Sequence, residues 1–215
     1  ENRLKELPFI NVIKSPEVEF TDDKAKINIY ADQKNANQFD GILGLVPNNS
    51  SKVQLVGNLK LRLQNAFKRG EFLDFNYQGL PQKSQLLALN VNLPNILNTE
   101  FGVNPALNLY KQDTSFLNVD TKLGFNYLFK GNNTLSFFLE HRSTNLIAVD
   151  RYKNISELPS ILDANTTFYG LGFSVDNLDY RYNPQKGYIL NINISVGNKT
   201  IKKNAAIAAN LYQFI

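Results

Sequence analysis

The residues that could perform catalysis are few in this sequence. His141 is the only histidine and cysteine is absent, so a disulfide or a thiolate metal site cannot form, and a zinc site is not expected. The stretch Gly172-Phe173-Ser174-Val175-Asp176 ends in aspartate, where the G-x-S-x-G pattern of a serine nucleophile has glycine. We therefore predict that the chain is not an enzyme, with no catalytic residue, cofactor or metal ion.

The polar residues that remain alternate with apolar residues along the chain. His141 follows Leu135, Phe137 and Leu139 at every second position, which places it at the end of a predicted strand, on its apolar face. A catalytic base there would need a nucleophile and an orienting partner beside it. The even-numbered positions point to the opposite face, and many of them are charged. These charged residues predict a solvated network that lines a lumen: Lys60, Arg62, Asp74, Asp120, Lys122, Glu140 and Arg142.

The elements that must position these residues are long strands. From Val53 to Gln64 every second residue is apolar or glycine, and the others, apart from Val56, are polar. Nine such segments open near residues 39, 53, 71, 85, 101, 117, 135, 167 and 188, and several run to eleven or more residues. Strands of soluble proteins are typically about five or six residues long, whereas a tilted membrane-crossing strand needs about nine to eleven. The pattern favours a transmembrane β-barrel, with a soluble lipocalin-like barrel or a sandwich as the alternative.

The composition limits the possible partners. The 215 residues are 43% hydrophobic and 20% charged. They contain no apolar run of the roughly eighteen residues that an ordinary membrane-spanning helix needs. The net charge of +4 is scattered over predicted turns, such as Lys68-Arg69 and Lys202-Lys203, so a nucleic-acid partner is not expected.

The first 37 residues follow a different pattern. Residues 4–10 predict the end of a helix leading into a strand, and Ile27, Ile29 and Ala31 alternate in a short strand before a polar linker at 32–37. We therefore divide the chain into residues 1–37, the C-terminal end of a small α+β domain with its linker, and residues 38–215, the long strands.

Two stretches resemble a known family. A soluble tail leads into Phe39-Asp40-Gly41-Ile42-Leu43-Gly44, and the stretch from Asp179 to Tyr188 is similar to the D-x-R-x-N-P-x-x-G-Y segment of the bacterial surface antigen domain. With the strands on both sides, the chain resembles the POTRA-plus-barrel superfamily of outer-membrane proteins, whose members include BamA-type assembly factors, TamA and FhaC-like secretion transporters. The resemblance covers essentially the whole chain but only the front part of such a protein, and the family's inward loop with V-R-G-F/Y has no match here.

The resemblance implies a fold and a location. The fold is all-β, an antiparallel up-and-down transmembrane barrel of which the chain supplies the N-terminal nine or ten of sixteen strands, after the end of a POTRA-like periplasmic domain. The location is the bacterial outer membrane, with the N-terminal segment in the periplasm. A first strand that runs outward from the periplasm places the longest connection, 144–164, outside.

The resemblance also implies a function. The barrel takes part in the insertion and assembly of other proteins, or in their translocation, across the outer membrane. Its partners are outer-membrane lipid, client polypeptides, and accessory outer-membrane or periplasmic proteins. A client strand would pair with the edge of the first strand. The candidate residues for this pairing are Phe39, Asp40, Gly41, Ile42, Leu43 and Gly44. The alternative function is a passive outer-membrane channel or a structural barrel of about ten strands.

The turn before the last strand predicts a structural corner on the periplasmic side. Pro184 fixes φ, Gly187 accepts a positive φ, and Asp179 can pair with Arg181 or accept hydrogen bonds from turn amides. The predicted residues of the corner are Asp179, Arg181, Asn183, Pro184, Gly187 and Tyr188. Bacterial single-chain barrels have an even number of strands, so nine predicted strands lead us to expect more beyond Ile215.

Overall fold

The strands of this chain are joined mostly by short connections. The computed structural model describes residues 7–21, 24–47, 53–130, 132–153, 157, 159–179, 183–205, 207 and 211–212. The strands are β1 (Ile10–Thr21), β2 (Lys24–Gln33), β3 (Gln38–Pro47), β4 (Val53–Gln64), β5 (Phe72–Gly79), β6 (Gln85–Asn92), β7 (Phe101–Gln112), β8 (Phe116–Lys130), β9 (Asn133–Leu146), β10 (Ala164–Asp176) and β11 (Ile189–Ile201). Short 3-10 helices span Pro81–Lys83, Ile96–Asn98 and Val149–Tyr152. No helix in the described ranges is long and apolar enough to cross a membrane.

Strands β3 to β11 form one antiparallel sheet in which each strand pairs with its neighbours in sequence. The predicted all-β, up-and-down arrangement is therefore confirmed, and each strand begins within about three residues of its predicted position. The sheet is open over the described residues, with β3 and β11 at its two edges. Because the sheet has nine antiparallel strands, both edge strands run in the same direction.

The register explains why the sequence forms these strands. The register places the apolar positions of one strand opposite the apolar positions of the next, as Phe125 opposite Phe137 and Leu171 opposite Ile194. Such cross-strand pairs stabilise a sheet, and a shift of one residue would exchange its two faces.

The first part of the chain is a separate hairpin, in which β1 pairs with β2. The predicted helix end at 4–10 is not found in the described residues: 7–9 form a turn and a strand begins at Ile10, while 4–6 lie outside the described residues. The predicted strand after this segment is present as β1, although Pro16 interrupts its alternation, and the structure accommodates the interruption with register shifts between Val12 and Glu17. Lys14 Nζ lies 2.7 Å from Glu17 Oε1 across the irregular stretch.

The two ends of the large sheet differ. We call the end where β4 connects to β5, β6 to β7, β8 to β9 and β10 to β11 the turn end, and the opposite end, where β5 connects to β6, β7 to β8 and β9 to β10, the loop end. The longest connection at the loop end is 147–163, between β9 and β10. The longest connection therefore lies at the end where the sequence placed it, while the connections at the two ends otherwise overlap in length.

The sheet has almost no core of its own. Over the described residues the buried hydrophobic side chains are Phe116, Phe138, Leu146 and Ile207 alone. A soluble domain of this length would bury a sizeable apolar interior. The apolar side chains of this sheet are instead at its surface.

Candidate functional site

One face of the sheet is apolar across all nine strands. We call it the apolar face, and it consists of the odd-numbered strand residues of β3 to β10 and the even-numbered residues of β11, because the register between β10 and β11 pairs odd with even positions. Rows of paired apolar residues join neighbouring strands on this face, for example Phe39 with Leu61, Leu61 with Phe75 and Phe75 with Leu89. Further exposed members are Leu43, Leu45, Leu55, Phe101, Leu123, Phe125, Leu135, Phe137, Tyr169, Leu171, Phe173, Leu190, Ile192, Ile194 and Val196. An exposed apolar surface of this extent marks an interaction with lipid or with another protein.

Aromatic residues border the apolar face near the turn end. The rings of Phe101 and Tyr127 lie 5.1 Å apart, and those of Phe129 and Phe173 are stacked at 6.1 Å. Toward the loop end, Tyr169 is the last aromatic of β10 on this face. The strand continues from there through Thr167 to Ala164, so Tyr169 marks the border of the apolar band and not the end of the strand.

His141 lies just outside that border. Its Nδ1 is 3.0 Å from Thr167 Oγ1, and Thr121 Oγ1 donates to the His141 carbonyl at 3.3 Å. Ser174, from the stretch compared with a nucleophile turn, lies on the opposite face and donates to Asn191 at 2.7 Å. The structure therefore does not bring His141 and Ser174 together. The described residues contain no group of three side chains suited to a metal ion.

The opposite face, which we call the polar face, carries the charged residues predicted to line a lumen. Arg62 Nε lies 3.6 Å from Asp74 Oδ1, and Arg142 Nε lies 2.5 Å from Glu140 Oε1. Lys122 Nζ lies 4.1 Å from the centre of the Phe138 ring. On this face, therefore, opposite charges lie beside each other, and one lysine lies over an aromatic ring.

The loop end of the polar face is covered by the chain itself. Phe116 and Leu146 pack there with Ile207, and we call this group, with the residues that contact it, the cap cluster. The contacting residues are Val149, Ile161, Leu162, Leu211 and Tyr212. Between the cluster and the sheet lies a cavity of about 560 Å³, whose lining includes Arg142, Phe168 and Lys199.

Asp163 holds the two segments of the cap cluster together. Its Oδ1 accepts a hydrogen bond from the Leu146 backbone N–H at 2.6 Å, and its Oδ2 accepts one from the Asn204 side chain. Its carbonyl accepts the Lys202 N–H at 2.8 Å. Sequence reasoning missed Asp163, and the available signal was the number of apolar residues in the loop, including the pair Ile161-Leu162 directly before it.

The predicted client-pairing edge is the outer edge of β3. Over the described residues β3 pairs with β4 alone, so one side of its backbone faces no strand. Phe39, Ile42 and Leu43 are all exposed, and Asp40 is the one charged residue of the strand. Long edge strands are commonly protected by lysine, proline or a bulge. This edge has proline only at its last residue, Pro47.

The predicted corner is a tight extension of the hairpin between β10 and β11. The Asn177 N–H donates to the Tyr188 carbonyl at 3.0 Å, and the Gln185 N–H donates to Asp179 Oδ1 at 3.0 Å. Gly187 has a φ of 108°, and a Cβ there would lie 2.1 Å from the Asn177 carbonyl oxygen. Arg181 lies outside the described residues, so its predicted pairing with Asp179 stays a prediction.

Comparisons with known proteins give a distant structural likeness. No family model and no curated protein matches the sequence. Among solved structures, the chain is similar to the crystal structure of BamA from Haemophilus ducreyi lacking POTRA domains 1-3, with 14% sequence identity and a TM-score of 0.44. The match covers 93% of this chain and 41% of that chain, so this chain spans less than half of the BamA structure. A likeness this distant assigns neither function nor partner.

Proposed function

We propose that the nine-stranded sheet is part of the wall of a bacterial outer-membrane β-barrel. The observation that carries this proposal is the apolar face, which continues across every strand pair from β3 to β11 and is exposed. Lipid is the environment in which such a face is stable, while the polar face would line a hydrated lumen.

The dimensions of the apolar face support this environment. On β7 it runs from Phe101 to Leu109, which is about 26 Å of strand at about 3.3 Å per residue. The apolar band of outer-membrane barrels is about 25 Å tall, although strand tilt shortens the height that each strand spans. A soluble lipocalin-like barrel would pack this face into a core, and the described residues form no such core.

The free edges require partners in this environment. Backbone groups left unpaired in lipid cost several kcal/mol each, so a membrane barrel must close. Because β3 and β11 run in the same direction, closure with antiparallel pairs takes an odd number of additional strands. We propose that the natural barrel has such strands, and that residues 1–37 end a POTRA-like periplasmic domain.

We further propose that the barrel inserts, assembles or translocates other proteins, with client strands pairing on the β3 edge. Three features support this: the edge is long, it lacks lysine and has proline only at its last residue, and Gly41 and Gly44 weaken the strand. Pairing with an added strand supplies main-chain hydrogen bonds and alternate side-chain contacts. No catalytic step is part of the proposal.

A passive channel is the second candidate. The paired charges of the polar face, Arg62 with Asp74 and Arg142 with Glu140, would tune permeation through a hydrated lumen. In that case the β3 edge would pair only with the strand that closes the barrel and not with a client strand.

Photo-cross-linking separates the two candidates. The natural protein, reconstituted in phospholipid vesicles, carries a benzophenone amino acid at Ile42 on the β3 edge or, as a control, at Val119 in the middle of the sheet. The probe is a small barrel protein added unfolded from urea. Client handling predicts cross-links at position 42 and none at 119. A barrel that inserts but gives no cross-link at 42 would favour the passive channel.

A further inference from the structure

Two neighbouring connections at the turn end expose large apolar side chains. Phe67, between β4 and β5, is 76% exposed, and Leu97, between β6 and β7, is 90% exposed. The two connections lie side by side, since a Cβ on Gly70 would lie 3.6 Å from Pro94 Cγ. We call residues 65–71 and 94–100 together the turn pair.

The first connection is fixed in shape by its own side chains. The Glu71 carboxylate, 6% exposed, accepts the backbone N–H groups of Phe67 and Arg69, the latter at 3.0 Å. Asn65 Oδ1 accepts the Gly70 N–H at 2.8 Å. With Glu71 turned to the backbone, the exposed residues Phe67, Lys68 and Arg69 form the outer surface of the connection.

The second connection holds Leu97 in an unfavourable backbone conformation. Leu97 has a φ of 54°, in the left-handed region that non-glycine residues rarely occupy. Hydrogen bonds from the Asn98 N–H to the Asn95 carbonyl and from the Thr99 N–H to the Ile96 carbonyl maintain it, at 3.1 and 3.0 Å. Backbone strain of this kind is stable only where other interactions compensate it. Because the Leu97 side chain is exposed, its contacts within the chain do not provide that compensation.

The turn pair continues the apolar face. The last apolar pairs next to it are Leu63 with Leu73 and Leu93 with Val103. Resting on the proposed function, we infer that the turn pair docks into the headgroup layer of the membrane, with Phe67 and Leu97 reaching apolar depth and Lys68 and Arg69 meeting lipid phosphates. Amphipathic and cationic side chains take these positions at membrane interfaces. The lipid layer fits because it is apolar and anionic and borders the apolar face at this end.

These 215 residues contain no tryptophan, which simplifies a direct test. The variants Phe67→Trp and Leu97→Trp of the natural protein, with any tryptophan outside these residues replaced by phenylalanine, are reconstituted in phosphatidylcholine vesicles with and without phosphatidylglycerol. The lipids carry bromine either near the headgroup or deep in the acyl chain. Both tryptophans are expected to lose more fluorescence to shallow bromine than to deep bromine. Lys68→Gln with Arg69→Gln should abolish any extra quenching at position 67 that phosphatidylglycerol produces.

Two control positions separate the inference from the proposed function. Leu123→Trp lies in the middle of the apolar face and should be quenched most by deep bromine, whereas Phe168→Trp on the polar face should be quenched by neither. If position 123 is quenched while 67 and 97 are not, the turn pair faces water or a soluble partner and the inference is wrong. If position 123 is also unquenched, the membrane assignment itself is wrong.

Discussion

The ring of Phe138 lies over the backbone of Gly170, its partner across the β9–β10 pair. A Cβ at position 170 would lie 2.1 Å from Phe138 Cζ, so the ring occupies the space that any other residue would fill. On the other side, Phe138 pairs with Gly124 of β8. The large side chain, 9% exposed, is thus accommodated on the polar face by Gly170, whereas a Cβ at Gly124 would meet only Asn104.

Gly170→Ala should therefore destabilise the sheet, by about 1–3 kcal/mol, because the ring must leave its position. Gly124→Ala is the matched control, since its Cβ would meet the Asn104 Cβ at an ordinary 3.5 Å and should change little. Urea-dependent unfolding in vesicles measures both. Equal unfolding free energies for the two variants would contradict the packing role of Gly170.

The two faces should respond differently to a new charge. Leu59→Arg on the apolar face should cost roughly 2–4 kcal/mol, because the guanidinium enters lipid, while Asn58→Arg on the polar face should cost far less. The positions are adjacent in β4, so strand and depth are matched. The same unfolding measurement applies, and equal costs would argue against a membrane-facing apolar surface.

The alternation of residue types predicted the nine strands of the sheet and the residues on each face, because a period of two depends on local sequence alone. It did not predict the extent of β1, where Pro16 and charged neighbours hide the pattern. Nor did it predict the contacts of Phe138 with Gly170 or of Asp163 with Leu146 and Asn204. Those contacts join residues that are distant in the sequence, and no periodic pattern links their positions.

The connection at 65–71 should depend on pH through Glu71. Burial alone would raise the pKa of this carboxyl, but hydrogen bonds from the Phe67, Glu71 and Arg69 N–H groups and the charge of Arg69 outweigh it and lower the pKa. A carboxyl whose pKa is lower in the folded than in the unfolded protein stabilises the fold at pH values above its unfolded-state pKa of about 4.3. This stabilisation is lost as the pH falls through the folded-state pKa. Glu71→Gln should thus destabilise the protein at neutral pH and much less in acid. Glu100→Gln, at an exposed acid of the neighbouring connection, is the control and should change the unfolding free energy at neutral pH much less than Glu71→Gln.

The corner between β10 and β11 should fail when Gly187 changes. Gly187→Val places a β-branched residue at a φ of 108° and against the Asn177 carbonyl, so the fraction of assembled barrel should fall. Arg181→Ala should cost only modest stability and leave client handling near normal. Heat-modifiable migration on gels measures assembly. A fully assembled Arg181→Ala barrel that fails with its clients would instead assign the corner a direct role in binding them.

The cap cluster should close the loop end of the lumen, and Asp163 should control it. Asp163→Ala removes the acceptors of the Leu146 N–H and of the Asn204 side chain, and hydrogen bonds to charged groups contribute about 1.5–3 kcal/mol each. The 147–163 connection and the segment after β11 would then separate. We expect a larger and noisier single-channel conductance for the natural protein in planar bilayers.

Asp150→Ala is the matched control for this prediction. Asp150 lies in the same connection, its side chain is 82% exposed, and it pairs with Lys153 at 2.5 Å, so its loss should leave the conductance unchanged. Asn204→Ala removes one donor to Asp163 and should give an intermediate increase, which keeps the test informative should Asp163→Ala fail to assemble. If assembled Asp163→Ala and Asn204→Ala barrels both conduct like the unaltered protein, the cap cluster does not obstruct the lumen, and its packing serves stability alone.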